Sequence, residues 1–235
     1  MEPGPGQPLT GNVNLDAWTW HNAKAGYYGL INQIDDQVGR IMNALSRMKL
    51  AAGTAIVFCS DHGEMLGDHH QWGIRHPYEP VLHGPLFLHL PRWLGYPAGV
   101  VSDRPVGLRD IGPTLLELAG VPIPDAVTGR SLLPLARGEA AGWRTELHCE
   151  HNWPGGAVRL PDPHRRPLEV RLADRVGQEQ LFDHGTDPLE LHDLARDCPD
   201  LLASWRAKLV ETLRDRPEGF VDGDRLVPGG RTRRC

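Results

Sequence analysis

A long apolar stripe followed at once by a short apolar run is the feature that most constrains how this chain can fold. Apolar residues recur from Tyr27 to Met48 at alternating steps of four and three, which places them on one face of an α-helix. Residues 54–59 then form a continuous apolar run rich in β-formers, typical of a strand buried on both faces of a parallel sheet. A helix that leads directly into such a strand predicts an α/β fold. The stripe comprises Tyr27, Ile31, Ile34, Val38, Ile41, Leu45 and Met48.

An acid–histidine pair, Asp61 and His62, comes directly after this strand and is followed by Gly63. Open α/β sheets bind ligands in the crevice beyond the carboxyl ends of their strands. A carboxylate and an imidazole on one tight turn can share a divalent cation. Oxygen ligands suit calcium or magnesium, and the imidazole leaves manganese or zinc open. Such a pair is also consistent with solvated or capping side chains, so the residues alone leave both interpretations open.

Two further segments extend the α/β pattern. Residues 85–90 form a second apolar run that predicts a strand, which Pro91 ends. Asp110 can then cap a helix that continues to Leu118, with Gly120 at its C-terminal exit.

The pattern changes beyond about residue 138. Short strand candidates at 145–150, 168–172 and 179–182 are separated by connections rich in Pro and Gly. A last helix begins near Pro199 and has one apolar face. A few strands with one amphipathic helix predict a small α+β subdomain. The helix face is formed by Leu202, Trp205, Leu209 and Leu213.

Composition excludes several classes of protein. The 235 residues carry a net charge of −5, and the basic residues are scattered, so no nucleic-acid partner is expected. No apolar run approaches the ~18 residues of a membrane span, so no membrane association is expected. No signal-peptide pattern is visible at the start, which favours a cytoplasmic over a periplasmic location. The four cysteines match no zinc pattern and predict free thiols.

The segment 60–72, Ser-Asp-His-Gly-Glu-Met-Leu-Gly-Asp-His-His-Gln-Trp, resembles the metal-loop motif of bacterial sulfatases of the alkaline-phosphatase superfamily. Other segments resemble the same family in the same order, so that the resemblance covers most of residues 25–215. It corresponds to the C-terminal half of a bacterial arylsulfatase-like protein. The further matching segments are 27–40, 77–79, 106–120, 129–135, 179–183 and 187–194.

The resemblance implies a fold and a division of the chain. The expected fold is α/β, with part of a sulfatase/alkaline-phosphatase-like mixed sheet flanked by helices and followed by the small α+β subdomain. Residues 1–20 are then a flexible lead-in, and residues 21–138 are the C-terminal part of the catalytic domain. Residues 139–220 are the subdomain, and residues 221–235 are a tail.

The resemblance also implies a chemistry. Sulfatases bind a divalent ion, usually calcium, beside a formylglycine that attacks the sulfur of a sulfate ester. Asp61 and His62 match two ligands of that ion, with manganese or magnesium as alternatives to calcium. His69 and Arg75 are candidates to contact the substrate sulfate, although Arg75 is equally consistent with a surface ion pair. Ile74 stands where the family commonly has a sulfate-binding lysine, and isoleucine cannot bind an anion.

The family's nucleophile motif, Cys or Ser followed by any residue, Pro or Ala, Ser and Arg, does not occur in the 235 residues. Nothing before Tyr27 matches the family's first pair of metal-binding aspartates. The chain is therefore expected to represent a fragment with no catalytic residue of its own, to bind a metal weakly and to be inactive alone. A non-catalytic interaction module, and a phosphodiester or phosphonate monoester hydrolase of the same superfamily, are the alternatives.

Without further strands beside it, the run 54–59 would leave an apolar sheet edge exposed. We hypothesise that a homo-oligomer or another partner covers this edge.

Overall fold

The structure is a computed structural model that describes residues 11–12, 15–74, 76–150, 155–162, 165–173, 178–217 and 219–227. The helices are α1 (Ala17–Arg47), α2 (Glu79–Leu82), α3 (Ile111–Leu118), α4 (Leu133–Ala136) and α5 (Pro199–Leu213). The strands are β1 (Gly11–Asn12), β2 (Ile56–Cys59), β3 (Gln71–Trp72), β4 (Leu86–His89), β5 (Leu147–Glu150), β6 (Gly155–Asp162), β7 (Arg165–Ala173), β8 (Gln178–Asp183), β9 (Val221–Asp222) and β10 (Arg225–Leu226). Within the described ranges, no helix has the length and apolarity that crossing a bilayer requires.

Two compact units make up the chain. The first unit comprises Met1–Arg75, Pro80–Val100 and Ala136–Gly138, and the second comprises His76–Glu79, Val101–Leu135 and Glu139–Cys235. The division of the sequence into four segments stays a prediction.

The long helix expected from the apolar stripe is present in the first unit as α1, over 31 residues. It starts within the segment predicted as a lead-in, because Asp16 caps it. One Asp16 carboxylate oxygen accepts the Thr19 N–H at 2.8 Å, and the other accepts the Thr19 hydroxyl, also at 2.8 Å. The stripe is not buried as expected, since α1 has no buried residue. Four residues of the stripe are exposed, namely Ile31, Ile34, Ile41 and Met48, and the other three are half-buried.

The two apolar runs of the first unit form strands β2 and β4 as predicted, but in a different arrangement. They pair antiparallel, from Ile56 opposite His89 to Cys59 opposite Leu86. The expectation of a parallel strand buried on both faces was therefore wrong for β2, whose residues are half-buried or exposed. The reason is that β2 and β4 pair only with each other in the described part of the chain. An antiparallel pair is still consistent with a mixed sheet.

An antiparallel four-stranded sheet, in the order β5-β6-β7-β8, dominates the second unit. The three strands predicted beyond residue 138 are confirmed as β5, β7 and β8, and β6 is an addition. Helix α5 starts at Pro199 as expected, and its predicted apolar face is buried against Leu181 of β8. This packing forms the core of the second unit. The buried helix residues of this core are Leu202, Trp205, Leu209 and Leu213.

Helix α3 follows Asp110 as expected, but the Asp110 carboxylate does not cap it. It turns away from the helix and accepts the backbone N–H groups of Gly107, at 2.9 Å, and Arg130, at 2.8 Å. It also forms a bidentate ion pair with Arg144, with nitrogen–oxygen distances of 2.8 and 2.6 Å. Asp110 is fully buried. One carboxylate thus joins three segments that are distant in the sequence.

Candidate functional site

The predicted acid–histidine pair lies on the turn that follows β2. Ser60 closes this turn, because its hydroxyl donates to the His62 carbonyl oxygen at 2.6 Å. The backbone N–H of His62 donates to Asp61 Oδ1 at 2.9 Å. Oδ1 is therefore engaged by the backbone, while the Asp61 side chain remains 81% exposed. The second carboxylate oxygen, Oδ2, is left facing the imidazole.

A single hydrogen bond determines the tautomer of His62. Its Nδ1 lies 2.8 Å from the carbonyl oxygen of Gly63. A carbonyl can only accept, so Nδ1 carries the proton, and in the neutral ring the lone pair is on Nε2. Nε2 lies 3.6 Å from Asp61 Oδ2. A histidine that donates one nitrogen to a backbone carbonyl and offers the other is the usual arrangement of a metal-ligating imidazole.

The chemistry of these two donors fits one edge of a divalent-metal coordination sphere. Two ligands at about 2.3 Å from a metal, roughly at right angles, lie about 3.3 Å apart. The Oδ2–Nε2 distance of 3.6 Å is close to that separation. The fit is partial, because no group of three metal-ligating side chains occurs among the described residues. Asp61 and His62 could therefore hold a divalent cation only together with ligands from elsewhere.

Residue 63 must be a glycine because the backbone there lies very close to the backbone of Pro80 and Val81. Its N–H donates to the Val81 carbonyl oxygen at 2.7 Å, and the next N–H, of Glu64, donates to the Pro80 oxygen at 3.0 Å. A Cβ on residue 63 would lie 1.9 Å from that Pro80 oxygen. The structure shows that Gly63 serves packing, since its φ lies outside the left-handed region.

Gly63→Ala is accordingly expected to displace the turn. The added methyl must push backbone against backbone, an overpacking that costs about 1–3 kcal/mol. Thermal unfolding of the purified chain, with hydrogen exchange over residues 60–72, measures both effects. Gly84→Ala is the matched control, because a Cβ there makes only an ordinary contact of 3.4 Å with Ser60. Equal behaviour of the two variants would contradict the packing role of Gly63.

Glu64 closes the loop beyond the turn, a role that the sequence did not indicate. Its carboxylate accepts the backbone N–H of Gly73, and also that of Leu66 at 3.4 Å. Burial, reinforced by the charge of Glu64 and by Tyr28, raises the pKa of Tyr27. The carboxylate thus ties Gly73 to Glu64, across the loop. No local pattern marks this role, because Gly73 is distant in the sequence.

The indole of Trp20 stands against Gly67 on the same loop. A Cβ on Gly67 would lie 2.3 Å from the indole nitrogen, and Gly67 has a left-handed φ of 96°. Met65 and Trp72 of the same segment are buried. These contacts give the Asp61–His62 turn a fixed base.

Of the other two predicted site residues, the structure describes only His69. His69 is half-buried on the 3₁₀ turn Asp68–His70, where its φ is 50°. Arg75 lies outside the described residues. Ile74, at the position of the family's lysine, is exposed. The proposed contacts of His69 and Arg75 with a sulfate remain predictions.

A buried polar cluster in the second unit surrounds His184, which the sequence gave no functional role. Its Nε2 lies 2.7 Å from Glu190 Oε1, and its Nδ1 lies 3.7 Å from Glu79 Oε2. Glu190 also accepts the backbone N–H of Glu79 at 3.0 Å. His184 is therefore a buried, hydrogen-bonded residue of the second unit.

Comparisons with known proteins agree on one family. The family model described as Sulfatase matches residues 7–121, and that described as N-sulphoglucosamine sulphohydrolase, C-terminal, matches residues 67–216. The arylsulfatase of Clostridium perfringens (strain 13 / Type A) is 38% identical over 210 residues, covering 88% of this chain and 43% of the relative. The multifunctional alkaline phosphatase superfamily protein PehA of Trinickia caryophylli is 39% identical over 236 residues. That match covers 89% of this chain and 46% of the relative.

Among solved structures, the phosphonate monoester hydrolase SpPMH from Silicibacter pomeroyi has a TM-score of 0.72 at 30% identity. That match covers 86% of this chain and 43% of the neighbour. The chain thus spans less than half the length of the relatives that it matches.

Proposed function

Because the chain belongs to the sulfatase family, we propose that it contributes Asp61 and His62 to the divalent-metal site of a sulfuric ester hydrolase. The observation that carries this proposal is the tautomer of His62. The Gly63 carbonyl oxygen accepts a hydrogen bond from His62 Nδ1–H, so the Nε2 lone pair faces the same space as Asp61 Oδ2. Two solvated side chains that bind no metal would not require this arrangement.

Calcium is the metal that we propose first, with manganese or magnesium as alternatives, since one donor is a carboxylate and the other an imidazole. A divalent cation bound there would neutralise negative charge on the oxygens of a sulfate ester. Asp61 Oδ2 and His62 Nε2 would hold it. The Ser60 hydroxyl, bound to the His62 carbonyl, and the Gly63 N–H, bound to the Val81 carbonyl, would keep the turn in place.

We expect the 235-residue chain alone to bind Ca²⁺ more weakly than about 1 mM, because two protein ligands fall far short of the six to eight that calcium prefers. Isothermal titration calorimetry of the purified chain with CaCl₂ or MnCl₂ measures this. A micromolar dissociation constant that Asp61→Ala abolishes would show that the chain holds further ligands and would overturn the expectation.

We also expect the chain alone not to hydrolyse 4-nitrophenyl sulfate, since its sequence contains no match to the nucleophile motif. The proposed function is tested on a chimera in which the region of the C. perfringens arylsulfatase before the matched segment precedes this chain. The chimera should release nitrophenolate in a metal-dependent reaction. Metal-independent release, or turnover by the chain alone, would contradict the proposal.

A second candidate is hydrolysis of phosphonate monoesters or phosphodiesters. It is favoured by the similarity to PehA and to the phosphonate monoester hydrolase structure. Residue 74 is an isoleucine and supplies no positive charge to bind an anion, which weakens the case for a sulfate ester in particular. Comparing kcat/KM of the chimera for 4-nitrophenyl sulfate and for a 4-nitrophenyl phosphonate monoester decides between the two. No turnover of either substrate by a folded, metal-loaded chimera would favour the non-catalytic module.

A further inference from the structure

A buried histidine of the second unit lies between two carboxylates that come from different segments of the chain. The His184 side chain is 6% exposed, and its Nε2 lies 2.7 Å from Oε1 of Glu190, whose side chain is fully buried. Its Nδ1 lies 3.7 Å from Glu79 Oε2. An ionised carboxylate can only accept a hydrogen bond, so Nε2 carries a proton. None of these three residues belongs to the proposed metal pair.

The charges around the ring favour its protonated form. Glu190 also binds the second acidic residue directly, because its Oε2 accepts the Glu79 backbone N–H at 3.0 Å. A neutral imidazole would offset neither carboxylate charge, whereas an imidazolium has an N–H on both nitrogens and attracts both carboxylates. Charges that are removed from water interact more strongly than charges on a surface. The cluster is therefore arranged around a positive charge on His184.

The other titratable side chains of the same segments have partners of their own. Asp183 accepts a backbone N–H two residues along the chain at 2.9 Å. Asp187 accepts the backbone N–H of His192 at 2.7 Å. The rings of His76 and Tyr78 contact each other, with centroids 6.2 Å apart. The two carboxylates that face the buried imidazole are thus charges on which its protonation depends.

The backbone of Glu190 is held in a conformation that its contacts must maintain. Its φ is 57°, in the left-handed region that a residue with a Cβ rarely adopts. Such a conformation persists only where the surrounding structure fixes it. The carboxylate of Glu190 supplies two of these contacts, to the His184 ring and to the Glu79 N–H. A change of charge on His184 therefore acts on a turn that its release would relax.

Apolar contacts join the same segment to β8 and set the extent of any release. The Tyr78 ring stands edge-to-face against Phe182, with centroids 6.2 Å apart. This contact involves no charge, so it is insensitive to pH. A change of charge on His184 is therefore expected to release Glu79 while Tyr78 stays in place.

We propose that His184 is a proton-dependent latch in the second unit, whose imidazolium form holds Glu79 of α2 to the turn that carries Glu190. Loss of the ring proton to solvent releases Glu79. The latch is closed above the pH at which the carboxylates ionise, about 4.3 for a glutamate in water. It opens as the pH rises through the titration of the ring, since the stabilising charge is present only below it. This inference rests on contacts within the second unit and not on the proposed function.

Hydrogen exchange of the Glu79 amide tests the latch in the purified 235-residue chain. The exchange is followed by NMR between about pH 5.5 and pH 9, a range that spans the titration of a histidine. After correction for the intrinsic exchange rate, protection of this amide should fall by about tenfold or more as the latch opens. The ring nitrogens of His184, followed in the same samples, should lose their proton over the same pH interval.

Three variants identify the group that titrates. His184→Gln should make protection of the Glu79 amide low and independent of pH, because glutamine has no charge to lose. Glu190→Gln keeps the shape of the side chain and removes one negative charge, so the ring should lose its proton at a lower pH than in the wild type. His192→Gln is the matched control and should leave the transition unchanged. His192 also pairs with an aspartate, Asp187, at 3.5 Å, but its side chain is 79% exposed.

The titration of the wild-type chain is decisive even where a variant fails to fold, which circular dichroism detects. Protection of the Glu79 amide that stays constant over this pH range would overturn the proposal. So would a transition that His184→Gln leaves unchanged, or one that His192→Gln abolishes. These measurements use neither substrate nor metal, so their outcome is independent of the test of the proposed function.

Discussion

Asp110→Ala is expected to lower the free energy of unfolding of the second unit by about 3–5 kcal/mol, the cost of leaving one member of a buried ion pair without its partner. The Asp110 carboxylate is fully buried, and the Arg144 side chain is only 9% exposed. Removing the carboxylate leaves a guanidinium charge with little water around it. It also deprives the N–H groups of Gly107 and Arg130 of their acceptor. Each unsatisfied buried donor adds about 1–3 kcal/mol when no water replaces the acceptor.

This loss is comparable with the whole stability of an ordinary domain, about 5–15 kcal/mol. Differential scanning calorimetry, together with hydrogen exchange of α3, measures it for the second unit. Asp103→Ala is the control, because Asp103 is an exposed aspartate nearby, and it should change stability by less than about 0.5 kcal/mol. Combining Asp110→Ala with Arg144→Met should recover part of the loss, since the orphaned charge is removed. A single variant as stable as the wild type would show that Asp110 does not hold these segments together.

Local periodicity was sufficient to predict the main helices and several strands. The stripe of α1 and the face of α5 each follow the helical repeat, and both helices formed where expected. Burial was predicted correctly only for α5, because β8 of the same unit packs against it. For α1 the sequence specifies an apolar face but not whether the chain supplies a surface to meet it.

Strand pairing and contacts between residues far apart in the chain could not be predicted from the sequence. The apolar run that became β2 is equally compatible with a parallel and an antiparallel neighbour, and the antiparallel one is observed. Asp110 had the local signature of a helix cap, yet Arg144, far along the chain, binds its carboxylate instead. Likewise Glu64 holds Gly73 across the loop. Such partners are selected by the folded backbone and leave no spacing pattern.

Asp61 and His62 were identified as a pair from their position after a strand, and the structure adds how the pair is oriented. The decisive contact is His62 Nδ1 to the Gly63 carbonyl, which depends on a backbone conformation and not on residue type. What the pair does is therefore best tested by removing one donor and leaving this hydrogen bond intact.

Asp61→Ala in the chimera with the C. perfringens region is expected to lower kcat/KM for its preferred ester by about 10³-fold, equivalent to ~4 kcal/mol of transition-state stabilisation. The change removes Oδ2, the proposed oxygen ligand, and with it part of the charge that holds the cation. It leaves His62 Nδ1 bound to the Gly63 carbonyl. Raising the metal concentration should restore part of the activity, because the defect is one of metal affinity as well as of geometry.

Asp68→Ala is the matched control, since Asp68 is an exposed aspartate on the same loop that makes no proposed contact with the metal. Its kcat/KM should stay within about threefold of the unchanged chimera, well under one kcal/mol. The metal requirement is measured in parallel by titrating CaCl₂ after chelation, and the half-saturating concentration should rise for Asp61→Ala only. If both aspartate variants lose activity equally, or if Asp61→Ala keeps full activity at low metal concentration, Asp61 is not a ligand. The exposed turn would then be a solvated pair, and the tautomer of His62 would have only a structural role.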